Sequence, residues 1–262
     1  MNGAGNDFIV CDNRARTFPL DPKMIARLCD RHRGVGADGL LAVEPSETGA
    51  DFRMRYYNSD GGEAEMCGNG ARCFARFAAR LLAEIPEMIS FETQAGLIRA
   101  SFSGGLVTVN MSDPHDLRPP KAIGAGFPCT VHFLNTGVPH AVVFVKDVEA
   151  VNVGILGATL RQHPAFAPKG ANANFAQVLA PGQLVLRTYE RGVEAETLAC
   201  GTGVCATALL HHIATGDPSP VSVRVRGGDT LQVGFERTAN GGFQNVTLSG
   251  PADFVFEGTM AI

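Results

Sequence analysis

The chain has 262 residues, a formal net charge of −4 and a hydrophobic content of 45%. These values are typical of a globular protein with one or two domains, and they exclude a disordered or collagen-like chain. No apolar run reaches the roughly 18–20 residues of a transmembrane helix, and no run of Lys and Arg favours nucleic acid or anionic lipid. We therefore expect neither a membrane nor a nucleic acid as a partner.

The first half of the chain is predicted to form short strands and two helices. Asp21 followed by Pro22 is typical of a helix start, because Asp caps the first turn and Pro is tolerated there. The second helix follows Cys67 and carries apolar residues at helical spacing. Predicted strands cover residues 8–11, 40–43, 52–57, 89–92, 98–102 and 107–111. The predicted helices cover residues 22–31 and 68–84, and predicted turns lie at 34–39 and 58–62. The Pro-rich segment 114–120 marks a boundary.

The second half is predicted to repeat this order. A helix begins after Cys200, buries Ile213 among its apolar residues, and ends before Gly216, which is typical of a helix C-terminus. Another helix covers residues 153–162, and a turn at 170–175 corresponds to the turn at 34–39. Predicted strands cover residues 142–145, 184–189, 221–225, 231–235, 246–249 and 254–256.

The two halves share a motif. The segment Met66–Phe77, MCGNGARCFARF, is echoed by Ala199–Leu210, ACGTGVCATALL, about half a chain length later. The segments Gly5–Phe8 and Gly137–His140 also occupy matching places before these motifs. Because several blocks recur in the same order, we interpret the chain as a duplicated α+β protein.

The seven cysteines indicate the compartment and a candidate site. An odd number without a secretion signal favours free thiols in a reducing cytoplasm. The closest pairs, Cys67/Cys73 and Cys200/Cys205, are wider than the C-x2-C pairs typical of zinc, so we expect no metal. The cysteines interpreted as small buried hydrophobic residues are Cys11, Cys29, Cys73, Cys129 and Cys205.

Cys67 and Cys200 are predicted to lie at helix N-termini. Unpaired N–H groups and the helix dipole stabilise a thiolate there, which makes the cysteine a usable base. The glycines that follow let a carboxylate approach the backbone N–H groups. One thiolate and one thiol together could remove a proton from a carbon and return another on the opposite side, titrating as a coupled pair.

Other interpretations of these motifs remain open. Cys67 and Cys200 could form a redox pair, although such pairs usually lie in one short motif. Gly-x-Gly could bind a nucleotide, but no Walker lysine and no ribose-binding acid accompany it. The chain could also bind an amino acid without catalysing a reaction. As an enzyme it could be a racemase, and these motifs alone do not specify for which amino acid.

The motifs resemble those of a known family. The segments M-C-G-N-G-A-R-C and E-R-G-V-E-A-E-T-L-A-C-G-T-G are similar to the two signatures of diaminopimelate epimerase, and the resemblance covers essentially the whole chain. Proline racemase-like relatives carry His at the position of Asn69. Isomerases of the phenazine-biosynthesis type share the fold but lack the cysteine pair.

The resemblance implies both a fold and an activity. The fold has two pseudo-symmetric domains, each a mostly antiparallel sheet or barrel around a central helix, with halves at 1–114 plus 251–262 and at 115–250. The activity is the epimerisation of LL- and meso-diaminopimelate, in lysine and peptidoglycan precursor biosynthesis, by a cytoplasmic homodimer without pyridoxal phosphate or another cofactor.

The resemblance also implies roles for individual residues. Cys67 and Cys200 would be the acid/base pair, and His140 and Glu190 would tune their pKa values. Arg191 is the expected partner of the distal carboxylate. The remaining substrate-binding residues would be Asn6, Asn58, Gly68, Asn69, Asn172, Glu190, Gly201 and Thr202.

Three positions depart from the family pattern. Val138 replaces an Asn that contacts substrate in relatives, and Gly39 lies where some members have Gln. Phe256 matches a tyrosine implicated in dimerisation and keeps the ring without the hydroxyl. We therefore expect other residues to take over substrate binding at Val138 and Gly39, or this binding to be missing.

Overall fold

The computed structural model describes residues 1–124 and 127–260, which form an α+β fold with four α-helices. The helices are α1 (Pro22–Cys29), α2 (Gly68–Arg80), α3 (Val153–Arg161) and α4 (Gly201–Thr215), with a 3-10 turn at Pro164–Phe166. The strands are β1 (Asn2–Gly3), β2 (Asn6–Asp12), β3 (Gly39–Glu44), β4 (Phe52–Asn58), β5 (Met88–Thr93), β6 (Gly96–Ser103), β7 (Leu106–Asn110), β8 (His115–Gly124), β9 (Phe127–Asn135), β10 (Pro139–Phe144), β11 (Asn172–Ala180), β12 (Gln183–Glu190), β13 (Ala195–Thr197), β14 (Val221–Arg224), β15 (Thr230–Arg237) and β16 (Phe243–Pro251). No helix in the described part of the chain is long and apolar enough to cross a membrane.

The chain forms two compact units, Met1–Asn110 with Gly250–Ile262 and Met111–Ser249. In the first unit the strands pair in the order β1 to β7, and the pairs β2/β3 and β4/β5 are parallel while the others are antiparallel. Helix α2 packs against β1 to β4 and also against β7. Since these strands include both ends of the sheet order, the sheet wraps around α2.

The second unit repeats this arrangement. Its strands pair in the order β8-β9-β10-β11-β12-β14-β15-β16, and β13 pairs with β12. The pairs β10/β11 and β12/β14 are parallel, and the others are antiparallel. Helix α4 packs against β9, β10, β11, β14 and β15. The expected fold class, a duplicated and mostly antiparallel α+β fold around central helices, is confirmed.

Strand register shows which residues of the two units correspond. Phe8 pairs with Gly39 in the β2/β3 ladder, and His140 pairs with Asn172 in the β10/β11 ladder. Two residues further along, Val10 pairs with Leu41 and Val142 pairs with Asn174. The polar residues His140, Asn172 and Asn174 therefore occupy the places that Phe8, Gly39 and Leu41 hold in the first unit.

The central helices are held by apolar packing. Phe74 of α2 is fully buried, and its ring centroid lies 4.7 Å from that of Phe91. In α4, Val204, Ala208 and Leu209 are also fully buried. Burial of one large apolar side chain contributes about 1.5–3 kcal/mol, so this packing stabilises each central helix within its unit.

Several predicted boundaries are wrong. Helix α1 ends at Cys29 rather than residue 31, because the carboxylate of Asp30 accepts hydrogen bonds from the backbone N–H groups of His32 and Arg33. Helix α2 ends at Arg80 rather than residue 84. The predicted turn at 170–175 is mostly strand, since β11 begins at Asn172.

Two further expectations in the chain are also corrected. Residues 254–256 form no strand; instead the guanidinium of Arg80 lies over the ring of Phe254, 4.9 Å from its centroid. Ile213 is 42% exposed rather than buried, because α4 turns this face outward near its end. The predicted cap at Gly216 is confirmed, with a left-handed backbone at φ +79°.

Candidate active site

Cys67 and Cys200 are the residues that precede the first turns of α2 and α4. Both have extended backbones, with φ/ψ of −136°/123° at Cys67 and −129°/104° at Cys200. Neither side chain makes a capping hydrogen bond. By contrast, Asp21 and Asn152 cap α1 and α3 through their side-chain oxygens. The side chains of Cys67 and Cys200 therefore do not cap the first turns of α2 and α4, and N–H groups at such a helix start can bind an anion.

The second glycine of each motif lies close to other side chains. A Cβ atom at Gly203 would lie 2.6 Å from Asn174 Oδ1, 3.4 Å from Cys200 Sγ and 3.4 Å from His140 Cε1. The atoms nearest to a Cβ atom at Gly70 would belong to the ring of Phe8 and to Cys67 Cβ, at 3.4–3.5 Å. A Cβ atom therefore does not fit at position 203 without movement of its neighbours. At position 70 it would make ordinary van der Waals contacts.

Cys200 is buried next to the side chain of Thr202. The side chain is 7% exposed, and its Sγ lies 3.6 Å from Thr202 Oγ1. The buried hydroxyl of Thr136 donates to the carbonyl oxygen of Thr202 at 2.8 Å. The backbone N–H of Thr136 also donates to the carbonyl oxygen of Val138. Thr136 therefore ties the turn before β10, which includes Val138, to the first turn of α4.

Most other cysteines lie in surroundings that suppress thiolate formation. Burial raises the pKa of Cys73 to about 12 and that of Cys29 to about 11. Burial, aided by the carboxylates of Asp12 and Glu44, also raises the pKa of Cys11 to about 12. No disulfide is formed among the described residues, which include every cysteine. These three thiols are therefore poor bases near neutral pH.

Two predicted substrate-binding amides of the first unit are joined directly. Asn69 Nδ2 donates to Asn6 Oδ1 at 2.7 Å. The fully buried Arg72 donates to Asn69 Oδ1 at 2.8 Å and to the carbonyl oxygens of Gly68 and Pro251 at 3.2 Å. Because Arg can only donate, it sets which end of the Asn69 amide is the oxygen.

The other end of this hydrogen-bond chain is acidic. Asn6 Nδ2 donates to Asp38 Oδ2 at 2.9 Å, and Arg31 binds both Asp38 and Asp7. Burial would raise the pKa of Asp7, but hydrogen bonds from Arg31 and from the Asp38 N–H outweigh it and hold the pKa below the usual value. The amide orientations of Asn6 and Asn69 are thus set from both ends.

Asn58 lies at the end of β4, directly opposite Gly39 in the β3/β4 ladder. The hydroxyl of Tyr56 donates to Asn58 Oδ1 at 2.9 Å. A Cβ atom at Gly39 would lie 2.5 Å from the carbonyl oxygen of Tyr57 and 3.0 Å from the Tyr56 ring. A longer residue such as Gln therefore does not fit at Gly39 without movement, and Tyr56 fills the adjoining space.

The second unit brings Asn172 and Arg191 together. Asn172 Nδ2 donates to the carbonyl oxygen of Pro139, and the backbone N–H of Arg191 donates to Asn172 Oδ1 at 2.8 Å. Glu190 ends β12 and accepts a hydrogen bond from the hydroxyl of Thr197 at 2.9 Å. The turn that carries Glu190 and Arg191 is therefore anchored to the strand next to His140.

His140 is fully buried on β10. Burial, assisted by the positive charge of Arg191, lowers the pKa of its imidazole to about 3, so the ring is neutral at physiological pH. Nδ1 lies 3.2 Å from Asn174 Nδ2. Within the described residues, Nε2 has no hydrogen-bond partner. A buried polar atom without a partner is uncommon, and a catalytic role is one of the explanations for it.

Sequence reasoning missed four residues that position the predicted ones: Arg72, Asp38, Thr136 and Asn174. Arg72 lies inside the first signature, and Asp38 lies in the G-A-D turn, so both were visible in the motifs. Asn174 follows Asn172 by two residues and therefore lies on the same face of β11, a signal available from strand alternation. In the described part of the chain, no group of three or more His, Cys, Asp or Glu side chains is arranged to hold a metal.

Comparisons with known proteins agree with the motifs. The profile of the family described as "Diaminopimelate epimerase" matches residues 1–115 and 132–250. The chain is 42% identical to a diaminopimelate epimerase of Chlorobaculum tepidum, over all of both chains. It is 40% identical to that of Aquifex aeolicus, over all of this chain and 96% of the other.

Solved structures show the same fold at lower sequence identity. A Bacillus anthracis phenazine biosynthesis protein of the PhzF family matches with a TM-score of 0.74 at 17% identity, over 100% of this chain and 95% of that one. A hydroxyproline epimerase of Agrobacterium vitis matches with a TM-score of 0.62 at 20% identity, over 86% and 76%. The predicted resemblance is confirmed by the profile and the relatives: the chain belongs to the diaminopimelate epimerase family.

Proposed function

We propose that the protein interconverts LL- and meso-2,6-diaminopimelate, without pyridoxal phosphate, by a two-base mechanism. In this mechanism a Cys thiolate removes the α-proton and a Cys thiol returns a proton on the opposite side. Cys67 and Cys200 are the proposed bases. The family membership, at about 40% identity over the whole chain, supports the substrate and the reaction class.

One observation carries the proposed chemistry. Cys67 and Cys200 both precede a helix whose first turn has no side-chain cap, whereas α1 and α3 have one. Such a helix end lowers the pKa of a thiol and also binds a carboxylate through its N–H groups. The uncapped turns therefore supply both needs of a cofactor-independent epimerase, a base and a site for the α-carboxylate.

The same N–H groups can stabilise the negative charge that develops when the α-proton is removed. The α-proton of an amino acid is very weakly acidic, and the proposed mechanism has no electron sink. Stabilisation of the developing charge must then come from preorganised donors, a contribution that commonly reaches about 10²–10³ in rate for one donor. Gly68 and Asn69 in α2, and Gly201 and Thr202 in α4, are the proposed carboxylate-binding residues.

Arg191 is the proposed partner of the distal carboxylate. Its backbone N–H donates to Asn172 Oδ1, and it directly follows Glu190, the last residue of β12, so the backbone of Arg191 is held in place. A guanidinium pairs with a carboxylate through two parallel hydrogen bonds, which a single lysine ammonium does not reproduce. Asn6, Asn58, Asn172 and Glu190 complete the proposed binding set, with His140 and Glu190 tuning the thiols.

Solvent-deuterium exchange tests this function. Purified protein is incubated in D2O with LL-diaminopimelate, proline or glutamate, and deuterium at the α-carbon is measured by NMR. We expect exchange and epimerisation of diaminopimelate, and loss of epimerisation in Cys67→Ala and in Cys200→Ala. Cys73→Ala is the matched control, because Cys73 lies in the same helix and has a raised pKa.

The alternatives give different results in this experiment. A binding module would exchange no α-proton, and a racemase for another amino acid would prefer proline or glutamate. Wild-type turnover in either single cysteine variant would overturn the two-base mechanism.

The variant Arg191→Lys keeps the positive charge but removes the paired hydrogen bonds of the guanidinium. We expect a raised KM for diaminopimelate with little change in kcat, because the distal carboxylate is remote from the reacting carbon.

We also propose that the protein is a cytoplasmic homodimer and that its halves, 1–114 plus 251–262 and 115–250, are the two epimerase domains. Thiol cysteines in the described chain support the compartment. Phe254, Val255 and Phe256 are 38%, 62% and 68% exposed, which supports an apolar contact surface in the first unit. Light scattering tests this proposal: wild type should be dimeric, and Phe256→Asp should be monomeric.

A further inference from the structure

His140 and Asn174 form a buried polar pair in the second unit. Both side chains are fully buried, and both lie on neighbouring parallel strands, β10 and β11. Their counterparts in the first unit, by strand register, are Phe8 and Leu41. The repeated fold therefore accepts two apolar residues at these positions, and packing alone does not require a histidine and an asparagine there.

The orientation of the Asn174 amide follows from its other contacts. Asn174 Nδ2 lies 3.1 Å from the carbonyl oxygen of Ala141 and 3.2 Å from that of Asn172. The hydroxyl of Thr188 donates to Asn174 Oδ1 at 3.0 Å. Because backbone carbonyl oxygens only accept hydrogen bonds, the atom facing them must be the amide nitrogen. The amide is therefore fixed with its N–H groups on the side of His140.

This orientation decides where the proton of His140 lies. Asn174 Nδ2 is also 3.2 Å from His140 Nδ1. A proton on Nδ1 would place two donors against each other, so Nδ1 must be the unprotonated nitrogen and Nε2 must carry the hydrogen. His140 is then an N–H donor at Nε2, the atom that has no partner among the described residues.

The acceptor that fits this donor is an anion near the start of α4. His140 Cε1, which is bonded to Nε2, and Cys200 Sγ both lie 3.4 Å from the same point, the Cβ position of Gly203. Among the described residues of this unit, Cys200 lies near His140 through this shared contact, and the positive charge of Arg191 acts on the His140 ring. A hydrogen bond donated to a thiolate favours its charged form and lowers its pKa.

We propose that Asn174 is a positioning residue that holds His140 as a neutral Nε2–H donor for the thiolate of Cys200. The ring does not act as a base in this arrangement, because its only free nitrogen is the protonated one. This inference rests on the proposed function in one respect, the use of Cys200 as a thiolate. The protonation site of His140 does not depend on that function.

Nitrogen NMR of the wild-type protein tests the protonation site without any variant. Protein labelled with ¹⁵N-histidine contains seven such residues, and the spectrum of His140→Gln identifies the signal of His140. We expect Nε2–H with unprotonated Nδ1 between pH 6 and 8. A signal from Nδ1–H, or from an imidazolium, would overturn the inference.

Three variants then test Asn174 itself. Asn174→Asp replaces the donor with an acceptor, so His140 should change to Nδ1–H or become charged. Asn174→Leu copies Leu41 and removes the donor, so both protonation sites should become populated. Thr188→Val is the matched control, since it removes the hydrogen bond on the far side of the amide and should leave the His140 spectrum unchanged. An unchanged spectrum in Asn174→Asp would contradict the proposed role.

The effect on Cys200 is measured in a Cys67→Ala background, where no second active-site thiol couples to it. The rate of iodoacetamide labelling of Cys200 is followed against pH by mass spectrometry. In Asn174→Leu, where about half of the His140 rings would still carry the hydrogen on Nε2, we expect the labelling rate at pH 7 to fall by about twofold. Thr188→Val should match its parent. An unchanged labelling rate in Asn174→Leu would show that Cys200 is not the acceptor of the His140 hydrogen bond.

These results separate the inference from the proposed function. With both cysteines present, kcat for diaminopimelate should fall by the same factor, roughly twofold, in Asn174→Leu with little change in KM. If the NMR and labelling results are as expected but wild-type protein exchanges no α-proton, the proposed function is wrong and the positioning role of Asn174 stands. If exchange occurs but His140 carries its proton on Nδ1, only the inference is wrong.

Discussion

Asn69 donates its side-chain N–H to Asn6 Oδ1 at 2.7 Å, across 63 residues of sequence. The two amides belong to the first turn of α2 and to the start of β2. Arg72 fixes the oxygen of Asn69 on one side, and Asp38 fixes the nitrogen of Asn6 on the other. Side chains from three separate segments of the chain therefore set the hydrogen-bonding directions of two proposed substrate-binding groups.

Asp38→Asn should disturb this chain of hydrogen bonds. Arg31 would hold the amide oxygen at position 38, which leaves an N–H group facing Asn6 Nδ2. The Asn6 amide must then turn, and we expect KM for diaminopimelate to rise about tenfold, as for one lost hydrogen bond of about 1.4 kcal/mol. Steady-state kinetics measure the change. Asp7→Asn is the control, because Asp7 also binds Arg31 but not Asn6; equal effects in both variants would contradict the prediction.

Gly203→Ala and Gly70→Ala should differ, although both change the second glycine of the repeated motif. At position 203 the new Cβ would lie 2.6 Å from Asn174 Oδ1, so we expect a loss of about 1–3 kcal/mol of stability from overpacking. At position 70 the nearest atoms lie at 3.4 Å, and the better helix propensity of Ala should leave stability unchanged or raised by up to about 1 kcal/mol. Urea unfolding measures both; a larger loss in Gly70→Ala would show this reasoning to be wrong.

His140 should make the protein sensitive to acid. Its pKa is lowered to about 3 in the folded state from the ordinary value of 6.5, so the unfolded chain binds the proton more tightly. The stability from the neutral ring is fully present above pH 6.5 and falls by about 1.4 kcal/mol per pH unit towards pH 3.

His140→Phe removes this dependence and copies Phe8 at the corresponding position of the first unit. We expect its unfolding free energy to decline less steeply than that of wild type between pH 6 and 4. Chemical denaturation at several pH values gives the difference in slope. Parallel slopes would mean that His140 has the same pKa in the folded and unfolded states, which would contradict the prediction. Acidic groups such as Asp7 contribute equally to both proteins and cancel in the comparison.

The thiols should react with iodoacetamide in a defined order. Cys67 is partly exposed at a helix N-terminus, while burial raises the pKa of Cys73 to about 12 and of Cys29 to about 11. At pH 8 we expect labelling of Cys67 first and no labelling of Cys73 or Cys29 before unfolding, because the thiolate is the reactive form. Peptide mapping by mass spectrometry reads the order. Bound diaminopimelate should slow labelling of Cys67, and Cys73→Ala should leave its rate unchanged.

The repeated motif, the helix starts at Cys67 and Cys200, and the duplicated α+β class could all be predicted from the amino-acid sequence. These are local properties, because turn residues and apolar residues at helical spacing can be recognised within short segments of sequence. The helix ends at Cys29 and Arg80 and the strand at Asn172 were not predicted, since those limits depend on side-chain hydrogen bonds and on strand pairing.

The side chains that hold the proposed site residues in place became visible in the tertiary structure alone. Hydrogen bonds such as Asn69 to Asn6, and Asn174 to His140, join residues 63 and 34 positions apart. No periodicity or spacing encodes such partners, because strand order and register bring them together. The protonation site of His140 is set in the same way, by two backbone carbonyl oxygens that act through Asn174.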